Sequence, residues 1–252
     1  MRPTRAAATV AVVLSATCAG GCSGSDQGQL RVSAAASLRP AFDDYAANAF
    51  PDDQIQQSFA GSDQLAAQIE QGARPDVFAS ANTQYPEELY ARGLLEKPVV
   101  FARNRLVLAV PADSGMRSVA DVAEPGVSVV IGNPSVPIGA YTHKILARLP
   151  ASEGSAILAN VRSQEPDVSS IVGKLTQGAA DAAFVYVTDV RATAGSVRAI
   201  PLPDSLQPEV AYGIGVLSHA PDPELARRYV QGLEPGGSGV RYLRQAGFLP
   251  PG

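Results

Sequence analysis

Two short stretches constrain this chain more than any others. Ser33-Ala34-Ala35-Ala36-Ser37-Leu38 and Ser58-Phe59-Ala60-Gly61-Ser62 each run from alternating, strand-like residues into tiny side chains and a serine. Each is followed by apolar residues at helical spacing: Leu38, Phe42, Tyr45 and Ala49 after the first, and Leu65, Ala66 and Ile69 after the second. The pattern predicts strand-to-helix junctions with Ser37 and Ser62 as N-cap candidates. Two helix N-termini with bare backbone and free hydroxyls, aimed at one point, form a site for an anion held by N–H and O–H donors.

The same alternation continues. Asp76 to Ser80, Arg105 to Val110, Val127 to Ile131, Ala182 to Val187 and Val210 to Leu217 read as strands, and Ala159 to Arg162 as a further short one. Pro86 to Ala91, a segment through Tyr141, Ile145 and Leu149, Val168 to Gln177, Glu224 to Gly232 and Gly239 to Ala246 read as helices. Repeated strand–helix units predict an α/β fold with parallel sheets, in which ligands sit beyond the carboxyl ends of strands. A net charge of -4 without a basic cluster argues against a nucleic-acid partner. It is compatible with an anion site, since one built from dipoles needs no cationic side chain.

Residues 1–22 read as a lipoprotein signal peptide: Arg2 and Arg5, an apolar run from Ala6 to Ala16, then Ala19-Gly20-Gly21-Cys22. The ending resembles the lipobox of bacterial lipoproteins, which implies acylation of Cys22 and a lipid anchor to the cell membrane. Cys18 is the competing position, and a plain secretory signal the alternative. Residues 23–28 then form a flexible tether. Both cysteines lie in this leader, so the domain beyond it is predicted to have no disulfide.

Several further stretches, taken with the two opening ones, carry a resemblance. They are Gln68 to Ala73, Asp76 to Ala81, Asn104 to Leu108, Gly132-Asn133-Pro134, Val136 to Tyr141 and Val185 to Asp189. In that order the chain is similar to the substrate-binding proteins of bacterial molybdate ABC transporters. The resemblance implies a two-lobed periplasmic-binding-protein fold of type II with the ligand in the interlobe cleft. Lobe 1 would be residues 29–105 with 210–252, and lobe 2 residues 106–209. It also implies a ligand set of Ser37, Ser62, Ile138, Val168 and Tyr186, the isoleucine and valine acting through backbone N–H. The implied ligand is molybdate or tungstate, delivered to an ABC permease by a monomeric protein that is no enzyme and carries no cofactor.

Other readings compete at individual residues. Ser37 and Ser62 also suit plain helix caps, and Tyr186 a core tyrosine with a satisfied hydroxyl. Asp76, Asp181 and Asp189 are read as cap and turn residues rather than metal ligands. Sulfate or another oxyanion is an alternative ligand. A secreted serine hydrolase is a further one, but a serine nucleophile needs a base, and neither His143 nor His219 lies in a recognisable partner motif.

Overall fold

A computed structural model describes residues 29–252. The expectations for the leader, Cys22 and the tether fall outside these residues. The first run of elements is β1 (Gln29–Ala35), a short 3-10 turn (Ala36–Leu38), α1 (Arg39–Ala49), β2 (Gln54–Ala60), α2 (Ser62–Glu70), β3 (Val77–Ser80), α3 (Gln84–Ala91) and β4 (Val99–Asn104). The second is β5 (Leu106–Pro111), β6 (Val129–Gly132), α4 (Pro137–Leu146), α5 (Ala151–Ala159), β7 (Val161–Glu165), α6 (Val168–Thr176), β8 (Ala182–Tyr186), α7 (Val187–Arg191) and β9 (Val197–Pro201). The chain ends with β10 (Val210–Val216), α8 (Pro223–Leu233) and α9 (Val240–Ala246).

The strands form two five-stranded sheets, ordered β2-β1-β3-β10-β4 and β7-β6-β8-β5-β9. Each sheet is the centre of one lobe. Apolar character tracks position: the continuous run of β5 lies between β8 and β9 and is buried from Leu106 to Val110, whereas β2 and β7 sit at edges and alternate exposed with half-buried residues. The sheets are mixed, which corrects the expectation of parallel ones. β1 pairs in parallel with β2 and β3, and β6 with β7 and β8. β10 runs antiparallel to β3 and β4, and β5 antiparallel to β8 and β9. β10 and β5 are the strands by which the chain enters a sheet from the other one, so no crossover helix returns them to the common start.

Four elements were not legible as read. β4, β9 and the short α7 carry weak patterns, and Ala159, taken as the start of a strand, ends α5 instead. Two aspartates act as strand clips. Asp76 accepts the Arg31 N–H at 2.6 Å and Asp181 the Ser128 N–H at 2.8 Å, each joining a strand start to its neighbour. The C-terminal helices close the first lobe through an aromatic cluster of Phe42, Tyr45, Phe50 and Tyr229, in which the Tyr45 hydroxyl donates to the Tyr229 carbonyl at 3.0 Å. α8 turns Leu225, Ala226, Tyr229, Val230 and Leu233 inward, and Asp222 caps it by accepting the Leu225 N–H at 3.0 Å. Among the described residues no helix is long and apolar enough to cross a membrane.

Candidate functional site

β1 and β2 pair in register as far as Ala35 opposite Ala60, so the turn holding Ser37 and the start of α2 at Ser62 leave the sheet side by side. Across from them, β6, β7 and β8 end at Gly132, Glu165 and Tyr186. The carboxyl ends of these strands from both lobes border one small cavity, lined by Ser37, Ser62, Ile138, Val168 and Tyr186 together with small residues such as Ala36, Ala60, Gly61 and Ala81. All five residues singled out from the resemblance therefore meet at one place. Among the described residues no lysine, arginine or histidine lines it.

The serines do not act as the predicted caps. Gly61, not Ser62, occupies the N-cap of α2, and neither helix start has a side-chain cap bond. Ser62 Oγ instead accepts the Ala81 N–H at 3.1 Å, and Ser37 Oγ lies 3.0 Å from the Tyr212 hydroxyl. Both serines are buried. Neither hydroxyl bonds a histidine or a carboxylate, so neither has the base a nucleophile requires.

Ile138 and Val168 stand in the first turns of α4 and α6, where backbone N–H groups lack intrahelical acceptors. The turn before α4 is tight: a Cβ on Gly139 would strike the Asn133 carbonyl, so only glycine lets this loop fold over the helix start. α6 is capped by Asp167, which also lines the cavity and whose carboxylate accepts the Ser170 N–H at 2.9 Å.

Tyr186 lines the cavity from the end of β8. It is 1% exposed, and its hydroxyl has no partner in hydrogen-bond geometry although it lies near that of Tyr212. Burial holds the Tyr186 phenol well above its ordinary pKa of 10.0, with Tyr212, Tyr141 and Asp189 adding to the effect, so it stays protonated. Asp189 accepts the Tyr186 N–H at 2.9 Å, and its enclosure raises its carboxyl to about 7. The Tyr229 hydroxyl also lacks a partner but lies in the aromatic cluster of the first lobe, whereas Tyr186 lines the cavity, where a ligand acceptor can reach it.

The two lobes touch across the mouth. Ser135 Oγ donates to Asp63 Oδ2 at 2.6 Å, the Tyr85 hydroxyl donates to the Ser135 carbonyl, and Gly61 packs on the Pro166 carbonyl. Sequence reasoning missed Asp63, Tyr85 and Ser135 because each is an ordinary polar surface residue within its own segment.

Two serines, a tyrosine and the first turns of two helices line one cavity beyond strand ends. Residues 30–249 match the family of bacterial extracellular solute-binding proteins. The chain belongs to that family. Over 228 residues this solute-binding protein is 37% identical to the molybdate-binding protein ModA of Mycobacterium tuberculosis, covering 87% of this chain and 84% of the relative. Its fold superposes on the Azotobacter vinelandii periplasmic molybdate-binding protein with a TM-score of 0.78 at 20% identity, covering 88% of this chain and 100% of that one. The sulfate-binding protein SubI of Mycobacterium tuberculosis superposes with a TM-score of 0.76 at 16% identity, covering 88% and 86%.

Proposed function

We propose that this solute-binding protein captures molybdate, and tungstate with it, in the interlobe cavity and delivers it to an ABC permease. In this reading it works as a monomer held outside the cytoplasm by a lipid on Cys22. The observation that supports it best is the convergence of Ser37, Ser62, Ile138, Val168 and Tyr186 on a cavity without a cationic side chain, with a buried phenol whose acceptor is missing. A dianion is costly to bury unless every oxygen is paired, and five neutral donors supply that pairing. The 37% identity to a molybdate-binding protein points the same way.

Sulfate is the second reading, favoured by the likeness to a sulfate-binding fold and by a donor set that serves any tetrahedral dianion. Calorimetric titration of residues 23–252, which contain every described strand and helix, with molybdate, tungstate, sulfate and phosphate separates the two. Binding of molybdate and tungstate in preference to sulfate is the expected result. Preference for sulfate would reassign the ligand, and binding of none would remove the site. The anchor has its own test: incorporation of labelled fatty acid in cells, lost in Cys22→Ala.

A further inference from the structure

Behind Ser37 a buried chain of polar side chains runs away from the cavity. Ser37 Oγ lies 3.0 Å from the Tyr212 hydroxyl, Asn104 Nδ2 lies 3.4 Å from that same hydroxyl, and Asn104 Nδ2 lies 3.0 Å from Thr188 Oγ1. All four side chains are buried. Asn104 closes β4, Tyr212 stands in β10 and Thr188 in α7, so the chain ties both strands bordering the crossings between sheets to the helix that follows Tyr186.

The hydrogens along this chain have a determined direction. The Arg105 N–H donates to Asn104 Oδ1 at 2.9 Å, which fixes the amide with Nδ2 facing Tyr212 and Thr188. An amide nitrogen only donates, so both hydroxyl oxygens accept from it. The Tyr212 hydrogen then has Ser37 Oγ as its bonded acceptor, because the neighbouring Tyr186 hydroxyl is outside hydrogen-bond geometry and the reverse arrangement would leave a buried phenol hydrogen without a partner. Ser37 therefore accepts from Tyr212 and turns its own hydrogen to the cavity. Ser62 is held the same way by the Ala81 N–H.

We propose that Asn104 and Tyr212 are specificity-determining positioning residues: they lock Ser37 as a donor, so that the cavity admits oxyanions bearing no hydrogen and rejects those that carry one. The inference rests on the cavity being an oxyanion site. A hydrogen-bearing anion such as phosphate at neutral pH would set its O–H against the Ser37 O–H, a repulsive contact that discriminates without any change in cavity size.

Competition calorimetry with molybdate, sulfate and phosphate on the wild type, Tyr212→Phe and Asn104→Ala tests it. Tyr212→Phe keeps the ring that packs on Phe101, Tyr186 and Phe248, and frees Ser37 to accept. The expected result is a rise of about tenfold or more in the phosphate-to-molybdate affinity ratio in Tyr212→Phe, a smaller rise in Asn104→Ala, and an unchanged sulfate-to-molybdate ratio, since both of those anions are hydrogen-free. A merely structural role predicts that all three anions weaken together; that outcome, or unchanged ratios with molybdate still bound, overturns the inference and leaves the site standing. Wild-type phosphate binding that is lost in Asp167→Asn also overturns it, because the cavity would then already offer an acceptor. A wild type that binds no oxyanion removes the site reading along with the inference.

Discussion

Gly61→Ala separates folding from lobe closure. Gly61 has φ -61 and ψ 138, a conformation alanine adopts freely, so the substitution places no strain on its own lobe. Alanine is a poorer N-cap than glycine but restricts the unfolded chain, and these opposed effects leave the change in unliganded stability below about 1 kcal/mol when the lobes are apart. Closed lobes are another matter. A Cβ at this position would stand under 3.0 Å from the Pro166 carbonyl oxygen of the opposite lobe, and also 2.7 Å from Asp63 Oδ1. The Asp63 side chain can swing aside; the Pro166 carbonyl is backbone and cannot. Restoring an ordinary contact needs a displacement on the order of 1 Å at this point.

Val168 follows Pro166 by two residues, so its N–H moves with the displaced loop. A hydrogen bond stretched by about 1 Å is no longer one. Losing one bond to a charged ligand costs about 1.5–3 kcal/mol, or roughly 10- to 150-fold in affinity. Calorimetry on Gly61→Ala should therefore show molybdate binding weakened by at least about tenfold, with the unliganded unfolding midpoint close to that of the wild type. Wild-type affinity in a folded Gly61→Ala variant would refute the idea that the ligand is gripped by lobes brought into the contact seen here.

Three other outcomes follow from the same geometry. Tyr186→Phe removes a buried hydroxyl that has no partner, so it should leave the unliganded protein as stable or up to about 1 kcal/mol more stable while weakening molybdate binding about tenfold; a loss of stability in thermal unfolding would mean the hydroxyl has a structural partner. Ser62→Ala and Ser37→Ala should each cost affinity and about 1–3 kcal/mol of stability, because the Ala81 N–H and the Tyr212 hydroxyl respectively lose their acceptors; an unaltered stability of either variant in denaturant titrations would contradict the assigned hydrogen direction. Asp189 gives a pH signature. Its carboxyl is raised by burial from 3.8 to about 7, so the folded chain holds a proton that the unfolded chain releases, and this group's contribution is greatest below about pH 4 and lost as the pH rises through 7. Asp189→Asn keeps an oxygen for the Tyr186 N–H and should flatten the fall in unfolding midpoint across that window; an unaltered slope would place the dependence elsewhere.

How far the site was legible in the sequence depended on how local each of its causes is. Ser37 and Ser62 lie in contiguous stretches of tiny residues at strand ends, and the turn before Ile138 is marked by Gly132, Pro134 and Pro137 within one short segment. The alternation of strands and helices was equally local, so the α/β class could be read directly, while the antiparallel entries of β5 and β10 could not, because direction in a sheet is settled by partners far away in sequence. The expected capping role of the serines failed for the same reason: the Ser62 hydroxyl is drawn to the Ala81 N–H by the placement of β3 beside β1, not by its own helix. Tyr212 is the extreme case. Within Val210 to Val216 it looks like any core aromatic, and only the seating of β10 between β3 and β4 brings it behind Ser37, 175 residues away in the chain. A motif can name the atoms that face a ligand. Which of them donate is decided by pairings of this long-range kind, and an oxyanion site whose selectivity depends on hydrogen direction is therefore specified by the fold as much as by its signature residues.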